Sequence, residues 1–318
     1  MKHITHVLIN YLTDDFGRNV NILLKLIDEL RNQGVTSGEV EFLFLPDFIE
    51  TYGLEEYEAS VKSFESITQF VSCEFAVRPF ILKYESFMIH LMFNWSNHPN
   101  PEVRRLASEG CRPRLPWAMA LPSLKKNPDP IILILENLKN DESESVRRSV
   151  ANNLNDISKD NPEVVIEIAR KWKGESKETD KIIKHACRTL LKQGVPEVMQ
   201  LFGFGHIEHI RITDFKIHTY SVKIGSDLRF SLSLTNTDNA TSKLRLEYGL
   251  YYQKANGSLS KKVFLIGEKK YPKQSTTKII RKQPFKIITT RKFYAGKHNL
   301  SIIINGTEIE KIDFELLV

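Results

Sequence analysis

The spacing of hydrophobic residues divides the chain into two parts, and the first part has helical spacing. Up to about residue 204, apolar residues recur every three or four positions, as in Val20, Leu23 and Ile27. This spacing is typical of amphipathic helices that bury one face. Prolines such as Pro162 and Pro196 fall between the helical stretches, where they do not interrupt backbone hydrogen bonding. The pattern predicts an all-α region.

The second part alternates apolar and polar residues, which is the spacing of β-strands. The alternation runs through residues 228–234 and returns at residues 300–304. Asn256-Gly257 and Asn305-Gly306 mark tight turns between such stretches. Many short strands within about a hundred residues indicate a β-sandwich of the immunoglobulin type. We therefore predict one domain over residues 1–205 and a second over residues 206–318.

The helical part contains an internal repeat. VRRLASE at 103–109 aligns with VRRSVAN at 146–152, and this segment aligns with IIKHACR at 182–188, at offsets of 43 and 36 residues. Repeats of about 40 residues built from helix pairs are typical of HEAT-like units, which stack into a solenoid. The predicted fold class is multidomain, with an all-α HEAT-like repeat solenoid followed by an all-β immunoglobulin-like sandwich.

The alignment of the repeats places polar residues in matching rows on the second helix of each unit. Residues four apart share one helix face. The rows are Arg105 and Glu109; Arg148, Asn152 and Asp156; and Lys184, Arg188 and Lys192. The opposite face, which includes Val103 and Val146, is predicted to be core. Local ion pairs would explain Arg105 beside Glu109 but not cations at matching positions in three repeats.

The net charge of +6 is unevenly distributed over the 318 residues. Residues 207–318 contain 20 basic and 10 acidic residues, whereas residues 1–206 contain 25 basic and 29 acidic residues. The basic surplus is concentrated in the pairs Lys261-Lys262, Lys269-Lys270, Arg281-Lys282 and Arg291-Lys292. Two interpretations remain open: a solvated surface that keeps the protein in solution, or contact with a phosphate backbone.

Composition argues against several other classes of protein. Cys73, Cys111 and Cys187 are dispersed, so we expect no disulfide framework. We expect no signal peptide, and no apolar run is long enough to span a membrane, so we expect a cytoplasmic protein with no membrane partner. His206 and His209 have no nearby third ligand, so a metalloenzyme is disfavoured and no metal or cofactor is expected.

The segment from Arg112 to Trp117 is unusual because two prolines and two arginines precede a tryptophan directly after a helix. The prolines restrict the backbone, so Trp117 is predicted to be held in place. Two interpretations are open. Trp117 either fills the core or forms a rigid stacking surface for a base or a cation.

Three segments resemble a known family. SCEFAVRPF (72–80), NPEVRRLASEGCRPRLPWA (100–118) and VRRSVANNLNDISKDNP (146–162) strongly resemble the AlkC family of DNA alkylation-repair glycosylases. The resemblance implies HEAT-like repeats that cradle duplex DNA. It also implies hydrolysis of the N-glycosidic bond of cationic alkylated bases, chiefly 3-methyladenine and 3-methylcytosine, in base excision repair. The family is similar to AlkD in acting without flipping the base.

The resemblance also implies which residues face the lesion. Glu74, Trp117 and Asp156 fall on the lesion-facing, catalytic positions. The residues beside them are expected to contact the DNA backbone or to support the catalytic residues; they are Arg105, Glu109, Arg112 and Arg148, with Lys184 and Arg188 added by the repeat alignment. For two of these three candidate catalytic residues, a purely structural role is an alternative to catalysis. Glu74 could pair with Arg78, and Asp156 could cap the turn before Asn161-Pro162.

The expected chemistry agrees with these residue types. A base alkylated at N3 is already cationic and leaves as a neutral molecule without a general acid. Carboxylates such as Glu74 and Asp156 would stabilise the positive charge that develops on the sugar and orient a water molecule. The expected partner is double-stranded DNA containing alkylated bases, bound by a monomer. The alternative is a non-catalytic HEAT-repeat scaffold that binds nucleic acid or protein.

Overall fold

The chain has a helical region followed by a region of β-strands. A computed structural model describes residues 2–38, 40–287 and 292–317. Its helices are α1 (Lys2–Leu8), α2 (Phe16–Asn32), α3 (Phe44–Tyr52), α4 (Tyr57–Ile67), α5 (Val77–Trp95), α6 (Pro101–Glu109), α7 (Pro122–Lys126), α8 (Asp129–Leu138), α9 (Glu144–Ile157), α10 (Pro162–Trp172), α11 (Lys177–Ala186), α12 (Arg188–Gln193) and α13 (Pro196–Leu201). The change in the spacing of hydrophobic residues therefore correctly predicted the change from helices to strands.

The strands begin at residue 210, shortly after the helical spacing of hydrophobic residues ends near residue 204. They are β1 (Ile210–Ile217), β2 (Ser221–Lys223), β3 (Asp227–Asn236), β4 (Ser242–Gln253), β5 (Leu259–Tyr271), β6 (Ser275–Pro284), β7 (Gly296–Ile304) and β8 (Thr307–Leu317). Internal contacts group the chain into two compact units, Met1–Thr189 and Leu190–Val318. Helix α13 thus groups with the strands. The boundary between residues 205 and 206 stays a prediction.

The internal repeat corresponds to helix pairs. Helices α5 and α6, α8 and α9, and α10 and α11 pack as successive pairs, and α9 contacts both α6 and α11. The aligned residues Val103, Val146 and Ile182 are all buried on the second helix of each pair. The predicted HEAT-like repeat is confirmed because equivalent apolar residues bury equivalent helix faces.

Helix boundaries follow local capping chemistry. The Asn100 side chain accepts a hydrogen bond from the backbone N–H of Glu102, and Pro101 occupies the first turn of α6. Ser176 and Thr179 form a reciprocal capping box at the start of α11. Helix α11 ends at Ala186 and α12 begins at Arg188, so Lys184 and Arg188 lie on two helices rather than on one.

The β-strands form two sheets around one core. The three-stranded sheet has the order β1-β3-β6, and the five-stranded sheet has the order β2-β8-β7-β4-β5. Alternate residues of β3 point inwards, and Phe230 contacts Tyr248 of β4 at a ring-centroid distance of 5.2 Å. The predicted immunoglobulin-like sandwich is confirmed. Asn305 and Gly306, at φ of 47° and 83°, form the tight turn predicted between β7 and β8.

The cysteines and the hydrophobicity of the helices can be compared with the expectations from composition. Cys73, Cys111 and Cys187 are buried free thiols. Among the described helices, none is both long enough and apolar enough to cross a bilayer.

The β-sandwich buries a histidine whose hydrogen-bond partners match a neutral ring. His298 on β7 is fully buried, and its Nε2 lies 3.0 Å from the Tyr294 carbonyl oxygen while Nδ1 faces the Gln253 N–H. Nδ1 therefore acts as an acceptor and Nε2 as a donor in a neutral ring. Burial lowers the pKa of His298, although its backbone hydrogen bonds partly oppose the shift.

We predict that acid destabilises the protein partly through His298. The native state keeps this ring neutral, whereas the unfolded chain takes up a proton below about pH 6.5. Stability should therefore fall as pH decreases from about 7 to about 5. The variant His298→Gln retains a donor and an acceptor but does not titrate. The melting temperature of this variant should fall less over the same pH range, and equal slopes would contradict the prediction.

Candidate active site

The helical unit contains a cleft of about 750 Å³ that several predicted site residues line. Glu74, Glu109, Arg112 and Trp117 all contribute to its surface. Much of the remaining surface is apolar and comes from Val40, Leu43, Pro46, Phe75, Leu115 and Pro116. An apolar cleft with a few convergent charged groups is the usual form of a ligand site.

Glu74 is held by one partner that is distant in the sequence, Arg105, and by one neighbour, Ser72. Arg105 Nη2 lies 2.9 Å from Glu74 Oε2, and Arg105 Nη1 donates a 3.1 Å hydrogen bond to Ser72 Oγ. Ser72 Oγ donates in turn to Glu74 Oε2. Arg105 therefore pairs with Glu74 rather than with Glu109, its neighbour four residues along α6. Arg105 and Ser72 together fix the Glu74 carboxylate at the edge of the cleft.

Asp156 belongs to a second, more deeply buried network. Its Oδ2 lies 2.8 Å from Arg112 Nε and 2.7 Å from Arg112 Nη2, and its Oδ1 lies 2.8 Å from Lys159 Nζ. Arg112 Nη1 also contacts Glu109 Oε1 at 2.5 Å. Glu109 Oε2 accepts a 2.6 Å hydrogen bond from Ser149 Oγ. Arg112 thus links the Asp156 carboxylate to the wall of the cleft.

The electrostatics of Arg112 favour its charged form. Burial lowers the pKa of the guanidinium, but the adjacent carboxylates of Glu109 and Asp156 outweigh burial and raise the pKa overall. A buried cation that faces two carboxylates stays charged and holds both in fixed positions.

The cleft also has acidic residues that sequence analysis missed. Asp47 and Glu50 of α3 line it, and Asp47 accepts a 2.6 Å hydrogen bond from Thr5. Burial, with a further contribution from the Asp47 carboxylate, raises the pKa of Glu50, whereas Lys2 opposes the shift. No motif pointed to these residues, because only the packing of α3 brings them to the cleft.

Trp117 is fully exposed and has a backbone conformation that is rare for its type. Its φ is 65°, and its side chain is 100% exposed. The surrounding loop is braced by the Leu121 N–H, which donates to the Pro113 carbonyl, and by a bidentate pair between Arg114 and Asp160 at 2.6 Å. The interpretation of Trp117 as a core residue is wrong. An exposed ring on a braced loop is available for stacking.

The remaining predicted cations lie on neighbouring helices of the repeat. Arg105 is on α6, Arg148 on α9, Lys184 on α11, and Arg188 begins α12. Arg148 is exposed and lies 2.8 Å from Glu144, and it lines a depression of about 290 Å³ together with Lys181 and His185. Arg188 and His185 both contact Asn152. Burial, then the Arg188 charge, lowers the pKa of His185.

Both structural alternatives for the carboxylates are wrong. Arg78 does not pair with Glu74, because its guanidinium donates to the carbonyl oxygens of Gly110 and Met119 instead. Asp156 lies within α9, where it accepts hydrogen bonds from Arg112 and Lys159 rather than capping the following turn.

The described part of the chain contains no group of three or more histidine, cysteine or acidic side chains placed to hold a metal ion. His206 and His209 lie beyond the helical unit, in the segment that precedes β1.

The fold and the cleft define a class of protein: a HEAT-like helical protein with an immunoglobulin-like C-terminal domain and a cleft of arginine-held carboxylates. Residues 211–318 match a family model described as the C-terminal Ig-like domain of uncharacterised protein YhaZ. Uncharacterized protein YhaZ of Bacillus subtilis (strain 168) is 46% identical over 274 residues, which cover 86% of this chain and 76% of that protein.

A solved structure resembles the whole chain. It is the Pseudomonas fluorescens alkylpurine DNA glycosylase AlkC bound to DNA containing an abasic site analogue. The match has a TM-score of 0.93 at 35% identity and covers 99% of this chain and 86% of that one. The chain therefore belongs to the AlkC family of DNA alkylation-repair glycosylases.

We predict that Trp117 is dispensable for stability. Replacing a non-glycine residue at positive φ with glycine removes local strain, and no core packing is removed because the ring is exposed. Trp117→Gly should therefore melt within a few degrees of the native protein. Trp172→Ala, at a fully buried position, should be destabilised by about 3–5 kcal/mol. Thermal unfolding of both variants tests this, and a large destabilisation of Trp117→Gly would contradict it.

Proposed function

We propose that this protein is a DNA glycosylase of base excision repair. In this proposal it hydrolyses the N-glycosidic bond of cationic alkylated bases, 3-methyladenine and 3-methylcytosine, in duplex DNA without base flipping. One observation carries the proposal: the Glu74 carboxylate and the exposed Trp117 line one cleft in a chain that matches a DNA-bound glycosylase over 99% of its length.

The charge of the substrate explains how such a cleft could act without a general acid. A cationic base takes the bonding electrons and leaves as a neutral molecule. The bond between C1′ and the base nitrogen breaks, positive charge develops on the sugar, and water adds to C1′ and loses a proton. Anionic groups near C1′ are favoured more in the transition state than in the ground state, which is the requirement for catalysis.

In this mechanism the three candidate catalytic residues have different tasks. Glu74, at the cleft surface, would stabilise the sugar cation or orient the water. Trp117 would contact the lesion nucleotide through its exposed ring. Asp156 would add negative charge from the end of α9, held in orientation by Arg112.

The net charge of the buried network around Asp156 depends on whether Lys159 stays paired with Asp156. Its side chain is partly exposed, and it covers Asp156 Oδ1. We expect a DNA phosphate to compete with Asp156 for this cation, because the ammonium end of Lys159 is partly exposed and phosphates attract lysines strongly. Glu109, Arg112 and Asp156 would then carry one net negative charge towards the lesion.

The cations of the repeat would bind the DNA backbone. Arg105, Arg148, Lys184 and Arg188 lie on helices that follow one another through the repeat, which suits a row of phosphates. Backbone contacts of this kind position the duplex and carry no sequence information.

We predict that the two carboxylates act on catalysis more than on binding. Asp156→Asn and Glu74→Gln should each lower single-turnover release of 3-methyladenine from methylated duplex DNA by about 100-fold or more, because each removes negative charge that stabilises the transition state. Affinity for the duplex should change by less than about 3-fold, equivalent to less than about 0.7 kcal/mol.

Glu163→Gln, an exposed change in the first turn of α10, is the matched control and should release base at the native rate. Normal release by both carboxylate variants would reject their assigned roles. Duplex binding with no release by the native protein would favour the non-catalytic scaffold.

The basic pairs of the β-domain allow a second test. Lys261, Lys262, Lys269 and Lys270 are exposed on β5, which is an edge strand of the five-stranded sheet. Lysines on an edge strand can simply prevent edge-to-edge aggregation. The alternative, which we propose, is that they contact DNA phosphates. Of the other pairs, Arg281 and Lys282 are on β6, and Arg291 lies outside the described residues.

We predict that Lys269→Gln combined with Lys270→Gln weakens duplex binding and reduces its salt dependence. Each phosphate that the variant no longer neutralises should reduce the slope of log affinity against log salt by about 0.9. Lys25→Gln combined with Lys62→Gln removes the same charge from exposed faces of α2 and α4 and serves as the control. An unchanged slope in the β5 variant would leave protection of the strand edge as the role of these lysines.

A further inference from the structure

Arg78 connects the two segments that carry the cleft residues. It lies on the first turn of α5, four residues after Glu74, and its side chain is fully buried. Nε donates a 2.7 Å hydrogen bond to the Met119 carbonyl, and Nη1 donates a 2.9 Å hydrogen bond to the Gly110 carbonyl. Arg78 therefore reaches both ends of the loop between residues 110 and 119.

The loop closed in this way contains the residues that matter most to the cleft. Arg112 and Trp117 both lie between Gly110 and Met119. The start of the loop is also pressed against α5, because a Cβ atom on Gly110 would lie 2.8 Å from a Val77 methyl group and 3.0 Å from the Met92 methyl group. Small changes at Arg78 would therefore be transmitted to the loop.

The two carbonyl groups at this position match the donors of a guanidinium. Burying an arginine is costly, and Nη2 of Arg78 has no hydrogen-bond partner within the described structure. Burial lowers the pKa of Arg78 to about 10, which still leaves it charged at neutral pH. The planar fork is able to donate to two carbonyl groups that are nine residues apart, which a single ammonium group does not match.

We propose that Arg78 is a positioning residue that fixes the Trp117 loop relative to the Glu74 segment and so sets the width of the cleft. This inference rests on the proposed glycosylase function for its effect on base release, but the effect on the loop is independent of it. Misplacing reacting groups by about 1 Å can lower a rate by about 100-fold.

The test uses the full chain with two changes at Arg78 and one matched control. Arg78→Met removes both donors, and Arg78→Lys keeps the charge with one donor group. Arg104→Met is the control for general destabilisation, because Arg104 is also largely buried, donates to the backbone carbonyls of His98 and Pro99, and in addition pairs with Asp141. Hydrogen–deuterium exchange, duplex affinity and single-turnover base release are measured well below each melting temperature.

We expect faster exchange in residues 110–121 of Arg78→Met, about 10-fold to 100-fold slower base release, and less than about 3-fold change in affinity. Arg78→Lys should show the same effects more weakly, and it carries the test if Arg78→Met does not fold. Arg104→Met should melt at a lower temperature but keep native exchange in residues 110–121 and native base release.

Two results would overturn the inference. One is native exchange in residues 110–121 of a folded Arg78 variant. The other is an equal reduction of base release in Arg104→Met, which would mean that general destabilisation is responsible. If the native protein releases no base, the proposed function fails, but the exchange measurement still decides whether Arg78 positions the loop.

Discussion

The architecture of the cleft depends on the burial of Arg112 between two carboxylates. A guanidinium removed from water is costly unless its charge and its donors are matched, and here Glu109 and Asp156 match them from two successive repeats. Removing either carboxylate would leave a buried cation with too few partners. The network therefore fixes the end of α6, the loop that follows it and the end of α9 with respect to one another.

Three arginines each hold a different part of the site. Arg105 orients Glu74, Arg112 orients Asp156, and Arg78 holds the backbone of the loop that carries Trp117. None of these three arginine side chains is a fully exposed surface group. A site held in advance needs little reorganisation when charge develops, which suits the proposed reaction, in which a short-lived sugar cation must be stabilised.

The sequence predicted the periodic features well and the partners of charged residues poorly. Burial of one face determines the residue types along a whole helix or strand, so it leaves a periodic pattern in the sequence. The alternation in residues 228–234 and the matching positions of Val103 and Val146 are such patterns. Ion pairing is decided by tertiary packing instead. Local spacing suggested Arg78 for Glu74, whereas packing of α6 against the preceding segment brings Arg105 there. Prolines indicated a restricted loop around Trp117 but not the direction of its ring.

In the proposed reaction, the positive charge of the lesion drives its departure and the carboxylates stabilise the sugar cation. The most direct measurement compares two duplexes that differ at one position, one with 3-methyladenine and one with its neutral 3-deaza analogue. We expect the native protein to bind both duplexes and to release free base only from the cationic one. Comparable release of the neutral base, or no release of the cationic base, would contradict it.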